Sequence, residues 1–490
     1  MRRSLAAAVL VIACLAIAPT ASAGSSNVDG TQPVIASESA TTCAVRDTGQ
    51  VYCFGANYAG NLGRGNILDD LSVRPVSGLT RVTAVYGGDS AACATTTART
   101  AYCWGANTFG NLGNASTDDY SADVVQFGSV TNIATMALSA SATCAARQDG
   151  TVWCSGNADV GVVPGQTGVV RTPTKIAGIS SVTQLAAGNA HVCAIRADRT
   201  VWCWGYNSEG QLGTGATSGG PSGPVKVNGI SDAVAITATA FSTCAVRATG
   251  TVLCWGYGMS FETGIGTTAS VPSPTPVPNI TGAKGITFGY NHGCAWSSST
   301  VRCWGWGGDT QLGDGQGNSA PWPTRVEYGL DNPTAVSAGT YTTCEIANGG
   351  RVWCWGKNGS GEAGNEDTNY VPKGDGPGSR FGYAADPIKV PTLNSAPGKP
   401  AAKSTVKGKA TLTWAAPSTS NGTSAPTDYT VQYRLKGASA WSTFKDPVSA
   451  KTGATVTGLK TGKYYEFRVV PKNWAGSGSV SATATAVKVK

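Results

Sequence analysis

Cysteine is the residue whose number and spacing could do the most chemistry in this chain. Among 490 residues there are 15 cysteines and only two histidines, His191 and His292. Fourteen of the cysteines form seven pairs by spacing. They are Cys43 with Cys53, Cys93 with Cys103, Cys144 with Cys154, Cys193 with Cys203, Cys244 with Cys254, Cys294 with Cys303, and Cys344 with Cys354. Structural zinc would ask for two-residue spacings and imidazole partners, and these pairs offer neither. An even, regularly spaced set reads as a disulfide framework built in an oxidising compartment.

The spacing inside each pair has a geometric meaning. In the stretch from Cys43 to Cys53, a three-residue hairpin loop at Asp47-Thr48-Gly49 puts glycine at the left-handed position. Arg46 then faces Gln50, and Cys43 faces Cys53. Facing residues of an antiparallel pair have Cα atoms about 4.5 to 5.5 Å apart, within reach of a disulfide. Cys294 and Cys303 are one residue closer, and a two-residue turn at Ser298-Ser299 again sets them opposite. In the chain-entropy account each such loop contributes about 2 to 3 kcal/mol.

The fifteenth cysteine, Cys14, lies in a leader. Arg2 and Arg3, the apolar run Leu5 to Ala18 and the small residues Ala21-Ser22-Ala23 read as an export signal, residues 1–23, cleaved after Ala23. Val11-Ile12-Ala13-Cys14 would also suit lipidation of Cys14, but the apolar run continues past it, so plain export is favoured. No later segment is apolar for long enough to span a bilayer. A secreted or cell-surface protein is expected.

Other chemistry is sparse. There is no Gly-x-Ser-x-Gly elbow, no His-Glu-x-x-His and no phosphate loop ending in Gly-Lys-Ser/Thr. A pair of catalytic carboxylates is defined in space and stays open. Asp314 to Asn318 looks like a calcium loop without its later acidic ligand. No metal, cofactor or nucleic acid is expected. His191 and His292 each stand two residues before the first cysteine of a pair, where Thr41, Ala91, Ala142, Ser242 and Thr342 stand elsewhere, so core positions are expected. Trp202 and Trp204, like Trp353 and Trp355, straddle a cysteine and share one strand face, which reads as packing rather than a sugar platform.

The elements that position these residues follow from the repeat. First cysteines recur every 49 to 51 residues, and period-two apolar runs bounded by glycine fill the intervals. A period near 50 is the length of a four-stranded propeller blade. After the second cysteine comes a further signature, Trp104-Gly105-Ala106-Asn107-Thr108-Phe109-Gly110-Asn111-Leu112-Gly113 in repeat two and Trp204-Gly205-Tyr206-Asn207-Ser208-Glu209-Gly210-Gln211-Leu212-Gly213 in repeat four. Here the chain resembles the regulator-of-chromosome-condensation repeat family, also called alpha-tubulin-suppressor-like repeats, over residues 32–393. The resemblance implies an all-β, seven-bladed propeller, closed so that no sheet edge is left bare. Repeat three departs, with Ser155 for the tryptophan and no Asn-x-x-Gly-x-Leu-Gly run. Repeat five substitutes Tyr257-Gly258-Met259-Ser260-Phe261-Glu262.

A linker at 394–400 leads to residues 401–490, where Trp414, Tyr429-x-Val431-x-Tyr433, Leu459, Tyr465-x-Phe467-x-Val469 and Asn473-x-x-Gly476 resemble a fibronectin type III β-sandwich. The resemblance implies that Tyr465 makes its tyrosine corner. Residues 396–490 carry a net +11, which leaves −3 for residues 1–395. A basic module behind an acidic propeller suits attachment to an anionic surface such as wall polymer, and a solubilising lysine-rich surface is the alternative.

The functional expectation is a monomeric, non-catalytic binding protein for an extracellular protein or a cell-wall glycan. The resembled family holds nuclear exchange factors and a secreted inhibitor of β-lactamases, so an enzyme inhibitor is an alternative, as is a polysaccharide-active enzyme. Ligand contacts are expected where the repeats deviate. Blade six adds Trp322 between two prolines, and blade seven carries an insertion, roughly Lys357 to Ala385, with Tyr370, Arg380, Phe381 and Tyr383. Aromatics and arginine on loops of a rigid scaffold suit binding anchors. The alternative is a loop that folds back on its own propeller.

Overall fold

Alternating apolar residues cut by glycine turns form strands throughout. The structure, a computed structural model, describes residues 23–27, 35–37, 40–45, 49–68, 70–326, 333–347, 351–362, 383–389, 396–417, 426, 428–444, 449–473, 476–477 and 479–490. Within them the one helical element is a 3-10 turn, Ala158–Val160. Seven consecutive four-stranded antiparallel sheets make the blades, each from one repeat. Blade four is typical, running Val182–Ala187, His191–Arg196, Val201–Asn207 and Ser218–Lys226.

The hairpin register is the one the spacing demands. Cys43 faces Cys53, Cys93 faces Cys103, Cys144 faces Cys154 and Cys193 faces Cys203. In the later blades Cys244 faces Cys254 and Cys344 faces Cys354, and the shortened pair Cys294 and Cys303 also stand opposite. Seven disulfides join these facing residues, with Cα atoms 4.0 to 4.1 Å apart. That is shorter than in ordinary facing pairs, because the covalent link draws the strands together. Gly49, Gly150 and Gly250 hold the left-handed turn position at φ 72°, 74° and 78°.

Blades pack through the second tryptophan of the signature. Trp104, Trp204, Trp255, Trp304 and Trp355 have no exposed surface. Each indole N–H donates to a carbonyl in the turn of the preceding blade, as from Trp204 to Val162 at 3.1 Å and from Trp304 to Glu262 at 2.7 Å. The Leu-Gly glycine follows from this contact. A Cβ on Gly213, after Leu212, would lie 2.8 Å from the Trp255 ring nitrogen. In repeat three, where Ser155 replaces the tryptophan, the buried Phe127 lies against Gly113 instead. Trp202 and Trp353 are only partly buried; Trp202 still packs against the cluster between blades three and four, with Arg196 over its ring at 5.4 Å.

The ring closes where blade one meets blade seven. The Ser37 N–H donates to Ser337 Oγ at 2.8 Å, and Thr42 Oγ1 donates to the Glu362 carbonyl at 3.1 Å. The strand Ala23–Asn27 adds to the inner edge of blade six, with Ser26 facing Ile286, and runs beside the innermost strands of all seven blades. It begins at the expected cleavage position.

The tail forms two sheets around its own core of Trp414, Tyr429, Val431, Leu459, Phe467 and Val469. The Tyr465 hydroxyl accepts the Lys460 N–H at 3.1 Å, the bond that makes a tyrosine corner. No helix among the described residues is long and apolar enough to cross a membrane.

Candidate functional site

Two sets of turns come together at one end of the propeller. One set links the first and second strands of each blade; the other is the signature turn after the third strand. Between blades four, five and six they enclose a cleft of about 420 Å³. Blade four supplies Tyr206, Ser208 and Glu209, blade five supplies Thr239 to Ser242 with Tyr257, Ser260 and Glu262, and blade six supplies Tyr290 and Asn291. None of the lining residues is a lysine, arginine or histidine.

Local bonds fix the walls. Phe241 and Tyr257 meet edge to face, with centroids 6.3 Å apart. The Tyr257 N–H donates to the Phe241 carbonyl at 3.0 Å, and Ser242 Oγ donates to the Tyr257 carbonyl at 2.6 Å. Thr239 Oγ1 donates to the Tyr290 carbonyl at 2.7 Å and ties blade five to blade six. Ser270 Oγ donates to Glu209 Oε2 at 2.6 Å. Tyr206, Phe241, Tyr257 and Tyr290 stay half-buried.

Glu262 occupies a position with a structural duty. Where blade four has Gln211 and blade six has Gln311, the side-chain oxygen accepts the backbone N–H two residues earlier, at 2.9 and 3.0 Å. Glu262 does the same with one oxygen, accepting from Ser260 at 2.8 Å. Its other oxygen, Oε1, is buried without a hydrogen-bond partner. Burial pushes the Glu262 carboxyl up to about 7. The Tyr257 and Tyr290 phenols are also pushed up, first by burial and then by the negative charge of Glu262 and its neighbours. Phe261 precedes Glu262 at φ 64°, where most blades have glycine, a conformation that costs about 1 kcal/mol or more. Such strain is kept where surroundings enforce it, often at sites.

The sequence-predicted contacts lie elsewhere. Trp322 is 47% exposed on the outer strand Ala320–Arg325 of blade six. Its ring covers Gly266 of blade five, where an added Cβ would come within 2.0 Å. Tyr383 is not a loop residue, since it starts the last strand of blade seven opposite Lys357, which therefore also belongs to a strand. Tyr370, Arg380 and Phe381 lie outside the described residues. No group of three or more metal-ligating side chains gathers among the described residues. His191 and His292 are fully buried, and each Nε2 lies 2.8 Å from a threonine hydroxyl, Thr243 or Thr343.

The cleft residues were missed although their signal was present. Blade five, like blade three, departs from the signature turn, and its replacement brings in Tyr257 and Glu262. What pairs them with Tyr206, Glu209 and Tyr290 is the stacking of blades.

Comparison with known proteins agrees with this architecture. Residues 73–377 match the RCC1-like domain, and residues 395–487 match the fibronectin type III domain. Prp20p of Saccharomyces cerevisiae is similar in structure at 17% identity and a TM-score of 0.61, over 71% of this chain and 87% of that one. Human WBSCR16 is similar at 22% identity and a TM-score of 0.58, over 64% and 86%. Protein turtle of Drosophila melanogaster is 37% identical over 92 residues, which is 18% of this chain and 6% of that protein. With seven sequential blades and a family match across most of them, the chain belongs to the RCC1-like domain family and carries a fibronectin type III domain behind its propeller.

Proposed function

We propose that this is an exported binding protein whose propeller recognises an extracellular protein or glycan, with the basic C-terminal module serving attachment or spacing. The observation that carries the reading is the cleft itself. Four half-buried aromatic rings and two carboxylates from three blades converge on turns that disulfide-stapled hairpins hold in place. Rigid scaffolds that present aromatic rings at a concave site are suited to recognition, because little side-chain freedom is lost on binding.

The test is affinity capture by the mature protein from the envelope and secretome of its source. Tyr257→Ala and Tyr290→Ala are compared with Tyr120→Ala, an exposed tyrosine of blade two. Loss of a true anchor costs about 2 kcal/mol or more, near thirtyfold in affinity. The expected result is that loss from the cleft variants alone. Equal capture by all three variants would place the site elsewhere.

A second reading rests on Glu209 and Glu262. A buried carboxyl poised near neutrality in a cleft that also holds a second carboxylate is a pattern that acid–base catalysis uses. Release of reducing ends from a polysaccharide, abolished by Glu262→Gln, would favour that reading over binding.

A further inference from the structure

Glu262 and its counterpart in blade seven, Glu362, each carry a buried carboxylate oxygen that the signature turn does not use, and of the two Glu262 is the one that lines the cleft. The signature turn requires one acceptor oxygen at this position, and Gln211 and Gln311 supply it with an amide whose Nε2 is left over. At Glu262 the left-over atom is Oε1, a carboxylate acceptor, on a residue only 2% exposed that lines the cleft. Leaving a buried acceptor without a donor is unfavourable, more so when it is charged. A donor arriving from the cleft would restore that bond.

The surroundings say which donor. The cleft that Glu262 lines also holds the side chains of Tyr257 and Tyr290 and, from blade four, a second carboxylate, Glu209, already held by Ser270. Asp89 of blade two adds negative charge at Tyr290, and no basic side chain lines the cleft. Aromatic faces attract cations through their quadrupole, and a carboxylate completes such a cage. The volume of about 420 Å³ is near the lower end for ligand sites, which fits one long side chain rather than an extended polymer.

We propose that this cleft recognises a protonated lysine or arginine side chain on the propeller's protein partner, with Glu262 as the buried anionic contact and Tyr257, Phe241 and Tyr290 as its aromatic walls. The inference rests on the binding reading above and names the chemistry of the partner. The cation meets the ionised carboxylate, so the carboxyl must lose its proton on binding. With that group poised at about 7, apparent affinity falls roughly tenfold per pH unit below neutrality and levels off above it.

The experiment titrates the full mature protein at pH 8 with Nα-acetyl-lysine methylamide and Nα-acetyl-arginine methylamide. The neutral isostere Nα-acetyl-norleucine methylamide and a tetramer of N-acetylglucosamine are the comparison probes. A cationic amide should bind at least tenfold more tightly than the norleucine amide. Glu262→Gln should remove at least tenfold of that affinity and flatten its pH profile, while Glu362→Gln at the matching turn of blade seven should leave both unchanged. Gln211 and Gln311 show that the turn accepts glutamine, so the variant tests charge rather than folding. Equal binding of the norleucine amide, an unchanged Glu262→Gln, or tetrasaccharide binding that depends on Glu262 would overturn the proposal. If no cationic amide binds but Tyr257→Ala still loses the captured partner, the charge assignment fails and the binding reading stands. If Tyr257→Ala also keeps the partner, both fail.

Discussion

The two histidines show how one residue type can be spent on structure. Thr243 Oγ1 donates its proton to the Gln211 carbonyl at 3.1 Å, so it accepts from His191, which therefore carries its hydrogen on Nε2. Thr343 and Gln311 repeat the arrangement for His292. Gly188 and Gly289 leave room for the rings, since an added Cβ would lie 2.4 and 2.5 Å from a ring carbon. Burial drives both imidazoles from 6.5 down to about 3. The unfolded chain takes up protons below pH 6.5 and the folded chain does not. The two histidines thus favour folding fully above pH 6.5, and that contribution declines toward pH 3. The loss is on the order of 2 kcal/mol per histidine at pH 5. Glu262, whose carboxyl is raised, pulls the other way between its ordinary range and about 7. Thermal midpoints from pH 7.5 to 4.5 should therefore fall less in a double variant, His191→Thr with His292→Thr, than in the wild type, threonine being the residue at Thr41 and Thr342. Parallel slopes would contradict the neutral-histidine account.

Blades are joined by a bond that recurs from one to the next. The indole of Trp204 adds an N–H to its apolar burial, and the acceptor is a backbone carbonyl of the blade before it. Trp204→Phe keeps most of the packing and strands that carbonyl, so a loss of about 1 to 2 kcal/mol is expected in denaturant titration. Phe54 of blade one already stands at this position, fully buried and without an indole N–H, and Thr42 Oγ1 donates to the Glu362 carbonyl there. The seam between blades one and seven thus lacks one of the bonds used elsewhere. Disulfides work within blades. Peptide mapping without reduction should link each cysteine to the partner ten residues on, as Cys93 to Cys103 and Cys344 to Cys354, or nine in blade six. Replacing one pair by alanine should cost about 2 to 3 kcal/mol.

Across the molecule, charge separates the two units. The module at 396–490 holds +11 and has its own hydrophobic core. If it attaches the protein to an anionic wall polymer, the full chain should bind at low salt, bind less at high salt, and lose binding when truncated after residue 395. Salt-insensitive retention, or equal retention of the truncated chain, would assign attachment elsewhere. The strand Ala23–Asn27 lies along the inner strands of the propeller and starts at the expected cleavage position. If residues 1–23 are a cleaved export signal, N-terminal sequencing of the protein recovered outside the cell should read Gly24 first.

Blade number, hairpin register and disulfide partners were legible in the chain because they are local. A period near 50 counts blades, and a loop of fixed length decides which cysteine faces which. The fibronectin-type module and the tyrosine corner at Tyr465 were legible through resemblance to that family, and the corner's bond, from the Lys460 N–H, is itself local. The cleft was not legible. Blade five announced a departure at Tyr257 to Glu262, but a departure alone does not say what it will face. Glu209 and Tyr290 stand 53 residues before and 28 after Glu262, and only the rotation from blade to blade brings them around one volume. The same stacking sets Trp322 against Gly266 and buries Trp204 while Trp202 stays half-exposed. A sequence repeat specifies each blade; what two neighbouring blades enclose depends on how their turns meet in space.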